Sequence, residues 1–327
     1  MSAVDRNRET YRELCRREGE KIPLMARAWW IEAVSASAGK EWGAVVEEGA
    51  DGQVIAAMPY QMTRKLGLGF MLMPQLTQLS NVWTASGTDR KEGIAKIVRR
   101  LKETCKEERV VMVQMAARMD DEEAEIFERE GFKGRRRISY RLQDLSEMGL
   151  VEKRFANDKR HKIKRAERIG MELDMTIGAE DFYGLAERHY GQRGEAMMYS
   201  RKMLTALYDA GKENGCCQMF GAREKETGKL AAAIVIVADE RVAYYLATAF
   251  APENAKDGAL EWLTRESIRW AAKSGLVFDF EGSEEERIAL AFRHYGAEET
   301  RYWSGEWYAN KIIETVVGLL KRKRRRK

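Results

Sequence analysis

Residues 276–304 read LVFDFEGSEEERIALAFRHYGAEETRYWS. A short apolar run, Leu276 to Phe280, has the length and composition of a buried strand. It gives way to Glu281-Gly282-Ser283, and Ser283 followed by Glu286 is the spacing of a capping box, which predicts a helix from that point. The helix is expected to run to Tyr295 and to stop at Gly296, a residue suited to the left-handed position after a helix. A further short strand follows through Arg301 and Trp303. Two carboxylates, Asp279 and Glu281, alternate along the first strand and leave it at its C-terminal end. Alternation places them on one face, and ligands of open α/β sheets collect at that end.

The same order of elements is expected twice. In the first half, residues 43–60 form two strands around a turn at Asp51-Gly52. Residues 71–76 make a short strand, 88–107 a helix, 110–115 a buried strand, and 121–132 a helix stopped by Gly131. Residues 138–145 close the half. In the second, 216–237 is a hairpin turning at Thr227-Gly228, 242–250 a strand and 257–275 a helix, before the strand at 276. Val113 and Phe278 occupy corresponding places, as do Phe132 and Ala297. Such repetition speaks for a duplicated α/β unit, and more for fold than for function.

Charge is placed rather than spread. Residues 321–327 are KRKRRRK, and removing these seven basic residues turns the net charge from +5 to a negative value. A second cluster, residues 152–168, carries eight Lys or Arg against three Asp or Glu. Clustered cations meet phosphates or acidic surfaces. Cys15, Cys105, Cys216 and Cys217 lack metal-site spacing and are expected as free thiols in a reducing compartment. The three histidines form no HExxH set, so no metal is expected. The N-terminus is polar and charged, and no apolar run reaches the roughly 20 residues of a membrane span. A cytoplasmic location is expected, with peripheral contact at the inner face of the membrane through the basic tail.

Three stretches carry a family resemblance. The strand ending Asp279-Phe280-Glu281-Gly282-Ser283, its helix and Phe292-Arg293-His294-Tyr295-Gly296-Ala297 resemble the second half of a GNAT-type acyltransferase, and more narrowly the FemAB-related double-GNAT branch. Met73-Pro74-Gln75-Leu76-Thr77-Gln78 resembles the "PpLTpy" segment of that branch, and Arg160 to Ala166 its "R..I.KA" helix. The resemblance covers roughly residues 20–305. It implies two tandem GNAT-like domains, α/β, with mixed, mostly antiparallel sheets flanked by helices. The expected division is 1–148, 149–307 with the active site, and a basic tail at 321–327, with the helix at 308–320 packing back onto the first domain.

The resemblance implies acyl or aminoacyl transfer to an amine, on a phosphate-bearing acceptor such as a UDP- or lipid-linked peptidoglycan precursor. It implies no tightly bound cofactor; the donor is aminoacyl-tRNA or acyl-CoA. The long helical arm that Fem-type enzymes often carry is absent. Two alternatives stand beside this reading: acyl-CoA-dependent N-acetylation of another amine, and a catalytically inactive double-GNAT protein that binds polyanions.

Amine acylation needs a base for the attacking nitrogen and a donor for the oxyanion or leaving group. Asp279 and Glu281 are the candidates for the base; the structural alternative gives Asp279 to neighbouring loops and Glu281 to an arginine. Tyr295 lies where some GNAT enzymes place an acid tyrosine, or else in the core. Ser283 reads as a cap rather than a nucleophile. Arg160, Lys164 and Arg168, at i, i+4 and i+8, make a strip able to meet a diphosphate, or a solvated helix face. Arg193, after His189-Tyr190 in an expected loop, joins them as a substrate-binding candidate. In GNAT enzymes the loop before the helix at 257 holds the pyrophosphate of coenzyme A. Here it reads Asn254-Ala255-Lys256-Asp257-Gly258-Ala259, with one glycine where that loop has two. Lys256, Gly258 and Ala259 are the phosphate candidates; a plain cap by Asp257 is the alternative.

Overall fold

A computed structural model describes residues 3–325. The chain forms two compact units, one of residues up to 137 together with those from 301 onward, the other of residues 138–300. Both divisions fall inside strands.

The first unit opens with α1 (Ala3–Glu18) and α2 (Ala28–Ser37). There follow β1 (Glu41–Glu48), β2 (Val54–Lys65), β3 (Leu68–Leu72), β4 (Trp83–Thr84), α3 (Arg90–Glu107), β5 (Val110–Ala117) and α4 (Asp121–Arg129). The β1–β2 hairpin turns through Gly52 at φ +74°, a conformation glycine adopts without steric cost. β3 ends at Leu72, ahead of Pro74, and therefore sits earlier than the expected 71–76. β1, β2 and β3 run antiparallel, and β3 then pairs with β5 in parallel. α3 is amphipathic: Ile94, Ile97, Val98 and Leu101 turn inward onto Met58, Met71 and Val113.

The second unit comprises the end of β6 (Lys133–Leu142), α5 (Met148–Lys153), α6 (Asn157–Ile169), β7 (Met171–Asp174), α7 (Ala179–Gln192) and α8 (Arg201–Glu213). Next come β8 (Cys217–Glu224), β9 (Leu230–Ala238), β10 (Val242–Phe250), α9 (Ala259–Lys273), β11 (Val277–Asp279) and α10 (Glu286–Arg293). β7 to β10 pair antiparallel in sequence order, and β10 pairs with β11 in parallel. That parallel pairing lasts only from Val242–Val277 to Tyr244–Asp279. Beyond it the rings of Phe280, Phe292 and Tyr245 fill the space, with Phe280 and Phe292 stacked at 4.9 Å.

The chain ends with β12 (Glu298–Tyr308) and α11 (Lys311–Arg325). The last strands of the two repeats are exchanged. β6 closes the first repeat in sequence but pairs with β11, Phe278 opposite Leu142 and Asp279 opposite Arg141. β12 closes the second repeat, yet its residues 303–308 pair antiparallel with β5. Trp303, 1% exposed, packs there on Phe127 and Phe132.

All four cysteines are free. Burial pushes the thiols of Cys105 and Cys217 up to about 12 and that of Cys15 up to about 11. No helix among the described residues is long and apolar enough to cross a membrane. No group of metal-ligating side chains occurs among them either.

Candidate functional site

Asp279 is fully buried. Its Oδ1 accepts from Ser139 Oγ at 2.5 Å and from the Glu281 amide at 2.8 Å, and its Oδ2 accepts from Arg141 Nε at 2.8 Å. Ser139 and Arg141 are two apart on β6, so one face of that strand supplies both donors. This carboxylate ties β6 to β11 and meets no solvent; it is not placed to take a proton from a substrate. The bond to the Glu281 amide closes an Asx turn. Glu281 itself has φ +60°, a left-handed value, and the strand has already ended at Asp279. The expected shared face of Asp279 and Glu281 therefore does not form. Nor does the capping box: α10 begins at Glu286 with Glu285 before it, and Ser283 Oγ accepts from the Glu285 amide at 3.1 Å.

Tyr295 is 4% exposed. It packs edge-on against Phe155, stacks on Phe280 at 5.4 Å and carries the Lys159 ammonium over its ring at 4.8 Å. Burial raises its pKa far above the ordinary phenol value. It is a core residue, as the structural alternative held. His189 and Tyr190 lie in α7 rather than in a loop. The Phe250 amide donates to His189 Nδ1 at 3.2 Å, and Arg193 beside it pairs with Glu195 at 2.8 Å. Burial and the Arg193 charge lower the His189 pKa.

The loop before α9 packs closely against α6. Gly258, at φ +78°, sits so close under α6 that a Cβ there would lie 2.2 Å from the Lys162 carbonyl oxygen. Gly258 and Ala259 are both buried. The Asp257 carboxylate accepts from Asn254 at 3.0 Å and pairs with Arg165 at 3.3 Å, so it is no helix cap. In the first turn of α9, Glu261 pairs with Lys162 at 2.8 Å and Lys159 at 3.4 Å. Burial pushes its carboxyl up, but Lys159, Lys162 and its own backbone N–H more than offset that, and its pKa lies below the ordinary value. α6 thus lies against the α-carbon of Gly258, and the Glu261 carboxylate accepts from its own backbone N–H. Gly258 and Ala259, two of the phosphate candidates, are buried where α6 approaches, and only Lys256 of that set lines the groove described below.

What the structure does bring together is basic. α6 buries Lys159, Ile163 and Ala166, spaced i, i+4, i+7, against the unit, and turns the opposite face out. An open groove of about 1070 Å³ runs along that outer face, lined by His161, Lys162, Lys164, Arg165, Glu167, Arg168, Ala255 and Lys256. Lys162 is paired with Glu261, Arg165 with Asp257, and Glu167 with Arg265. Lys164, Arg168 and Lys256 have no carboxylate partner among the described residues, so their fields add in the groove. Two of the three strip residues and one loop residue therefore converge. Arg160 does not join them; its guanidinium turns back to the Lys153 carbonyl at 3.0 Å and to Asn157. His161 and Arg165 are groove residues that the i, i+4 strip passed over, although both stand in the same basic cluster.

Residues 133–287 match the family described as acetyltransferase (GNAT) domain. That match covers a little under half of the chain, and the chain as a whole has the fold of tandem GNAT structures. The crystal structure of FemX superposes with a TM-score of 0.72 at 13% identity, over 97% of this chain and 98% of that one. The C-terminal domain of a putative lysylphosphatidylglycerol synthetase from Agrobacterium fabrum gives 0.59 at 11% identity, over 91% and 92%. A tandem GNAT protein from the clavulanic acid biosynthesis pathway gives 0.54 at 13% identity, over 94% and 96%. At these identities the likeness is one of fold. No curated protein sequence matches this chain.

Proposed function

We propose that this protein transfers an acyl or aminoacyl group to an amine of a phosphate-bearing acceptor, and that the groove along α6 holds the phosphates. The observation that carries the reading is the convergence of Lys164, Arg168 and Lys256 on one open groove of a GNAT-fold unit. A UDP- or lipid-linked peptidoglycan precursor has the required diphosphate. Aminoacyl-tRNA is the favoured donor over acyl-CoA, because the loop before α9 has one glycine where the coenzyme A loop has two, and that glycine serves the close approach of α6.

The test is thermal-shift titration with a UDP-linked peptidoglycan precursor, uncharged tRNA and acetyl-CoA, each at low and moderate salt. A ligand that binds only the folded chain raises its melting temperature. The precursor is expected to stabilise the wild type and to lose that effect in Lys164→Glu/Arg168→Glu. Stabilisation by acetyl-CoA alone would overturn the reading and point to a coenzyme A-dependent N-acyltransferase. A second reading, a polyanion binder without catalysis, is favoured by the core placement of Asp279 and Tyr295. Transfer of a radiolabelled aminoacyl group from tRNA to the precursor in a single turnover separates the two.

A further inference from the structure

Helix α11 has two unlike faces. On one, Lys321 Nζ reaches Glu306 Oε1 at 2.5 Å and Glu314 pairs with Lys133, both within the first unit. Asn310 Oδ1 accepts from the Ile313 amide at 3.0 Å and fixes the start of the helix. On the other face stand Ile312, Val316, Leu319 and Leu320, which are 74%, 49%, 55% and 57% exposed. Their spacing, i, i+4, i+7, i+8, gathers them into one stripe. The sequence then runs directly into KRKRRRK, residues 321–327, with the backbone helical to Arg325. The side chains beyond Lys321 lie outside the described residues, and they enter below only through their charge and order.

We propose that α11 lies flat on an anionic lipid bilayer, its aliphatic stripe in the headgroup–acyl boundary and its basic end among the lipid phosphates. Charge and apolarity together select this occupant. A stripe of four aliphatics gains nothing from a nucleic acid, whose surface is polar. A second copy packed parallel on the same stripe would bring two runs of seven like charges together. A bilayer with anionic lipid offers apolar depth and negative surface at one boundary, and polybasic segments beside an amphipathic helix are drawn to it. The helix is not a span. This inference stands apart from the transfer reading and uses none of its residues.

The experiment is co-sedimentation of the full chain with mixed phosphatidylglycerol–phosphatidylcholine vesicles and with pure phosphatidylcholine vesicles, at physiological ionic strength. Wild type is expected to bind the anionic vesicles. Val316→Glu/Leu320→Glu is expected to weaken binding by roughly tenfold or more, the change that about 1.4 kcal/mol produces, with an unchanged melting temperature. Leu319→Gln should fall between the two. Replacing Arg322, Lys323, Arg324 and Arg325 by Gln should remove the preference for anionic over neutral vesicles. Equal binding by wild type and Val316→Glu/Leu320→Glu would overturn the proposal, as would failure of wild type to bind anionic vesicles. A lipid-free dimer that the double variant disperses, seen by sedimentation equilibrium, would assign the stripe to a second copy instead.

Discussion

Asp279 holds a carboxylate where no water reaches it, and Ser139, Arg141 and the Glu281 amide all donate to it. Removing it leaves Ser139, Arg141 and the Glu281 amide without their acceptor. Asp279→Ala is expected to cost about 3 kcal/mol in urea unfolding, because a buried ion pair is broken from one side. Asp279→Asn keeps the shape and should cost less. Turnover per folded molecule in Asp279→Asn should stay within about threefold of wild type, since a group that only holds strands together contributes no transition-state contact. A loss of several orders of magnitude with normal stability would return the residue to catalysis. The strand was legible in the sequence, because an apolar run is a local signal; the alternation of its two carboxylates misled, because Glu281 lies past the strand's end in a left-handed turn. The burial was not: Ser139 and Arg141 are 140 and 138 residues away in the chain, and no local pattern couples them to Asp279.

At the level of elements, α9 and α6 form a joint in which charge substitutes for solvent. Glu261 is the centre of it, and its depressed pKa makes it a source of acid sensitivity. A carboxyl held below its unfolded value contributes stability at pH above that unfolded value, about 4.5 here, and loses it as pH falls through the folded one. Wild type is therefore expected to melt well above Glu261→Gln at neutral pH, and the gap should close as pH drops below the ordinary carboxylate range. A gap that stays constant across that window would show that Glu261 acts through packing alone. Helix ends show where local reading works. Asp120 and Glu123 close a capping box at α4 because both partners lie within one turn. Ser283 and Glu286 have the same spacing, yet the left-handed Glu281 redirects the chain and the helix starts later. The loop before α9 shows the same limit. Its glycine serves close approach of α6, and a glycine in sequence does not say what approaches it.

Over the whole molecule, the repeat was legible from its order of hairpin, strand, helix, strand, helix, and the exchange of last strands was not. Exchange alters which residues meet, and leaves every local period untouched. Trp303 reports on it directly. Trp303→Ala should destabilise the first unit by about 3–5 kcal/mol, through lost contact with Phe127 and Phe132. Hydrogen exchange resolved along the chain should show the loss in β5 and α4, with β8 to β10 little changed. A uniform loss in both units would mean that they unfold as one.

The exchange also has a meaning in time. A ribosome makes the chain from its N-terminus, so the first unit is synthesised first, yet the strand that pairs with β5, residues 303–308, is made near the end. At usual elongation rates β5 waits roughly 10–30 s with an open hydrogen-bonding edge. The half that begins first is completed last, and through that interval the nascent protein depends on whatever shields a bare strand from its neighbours.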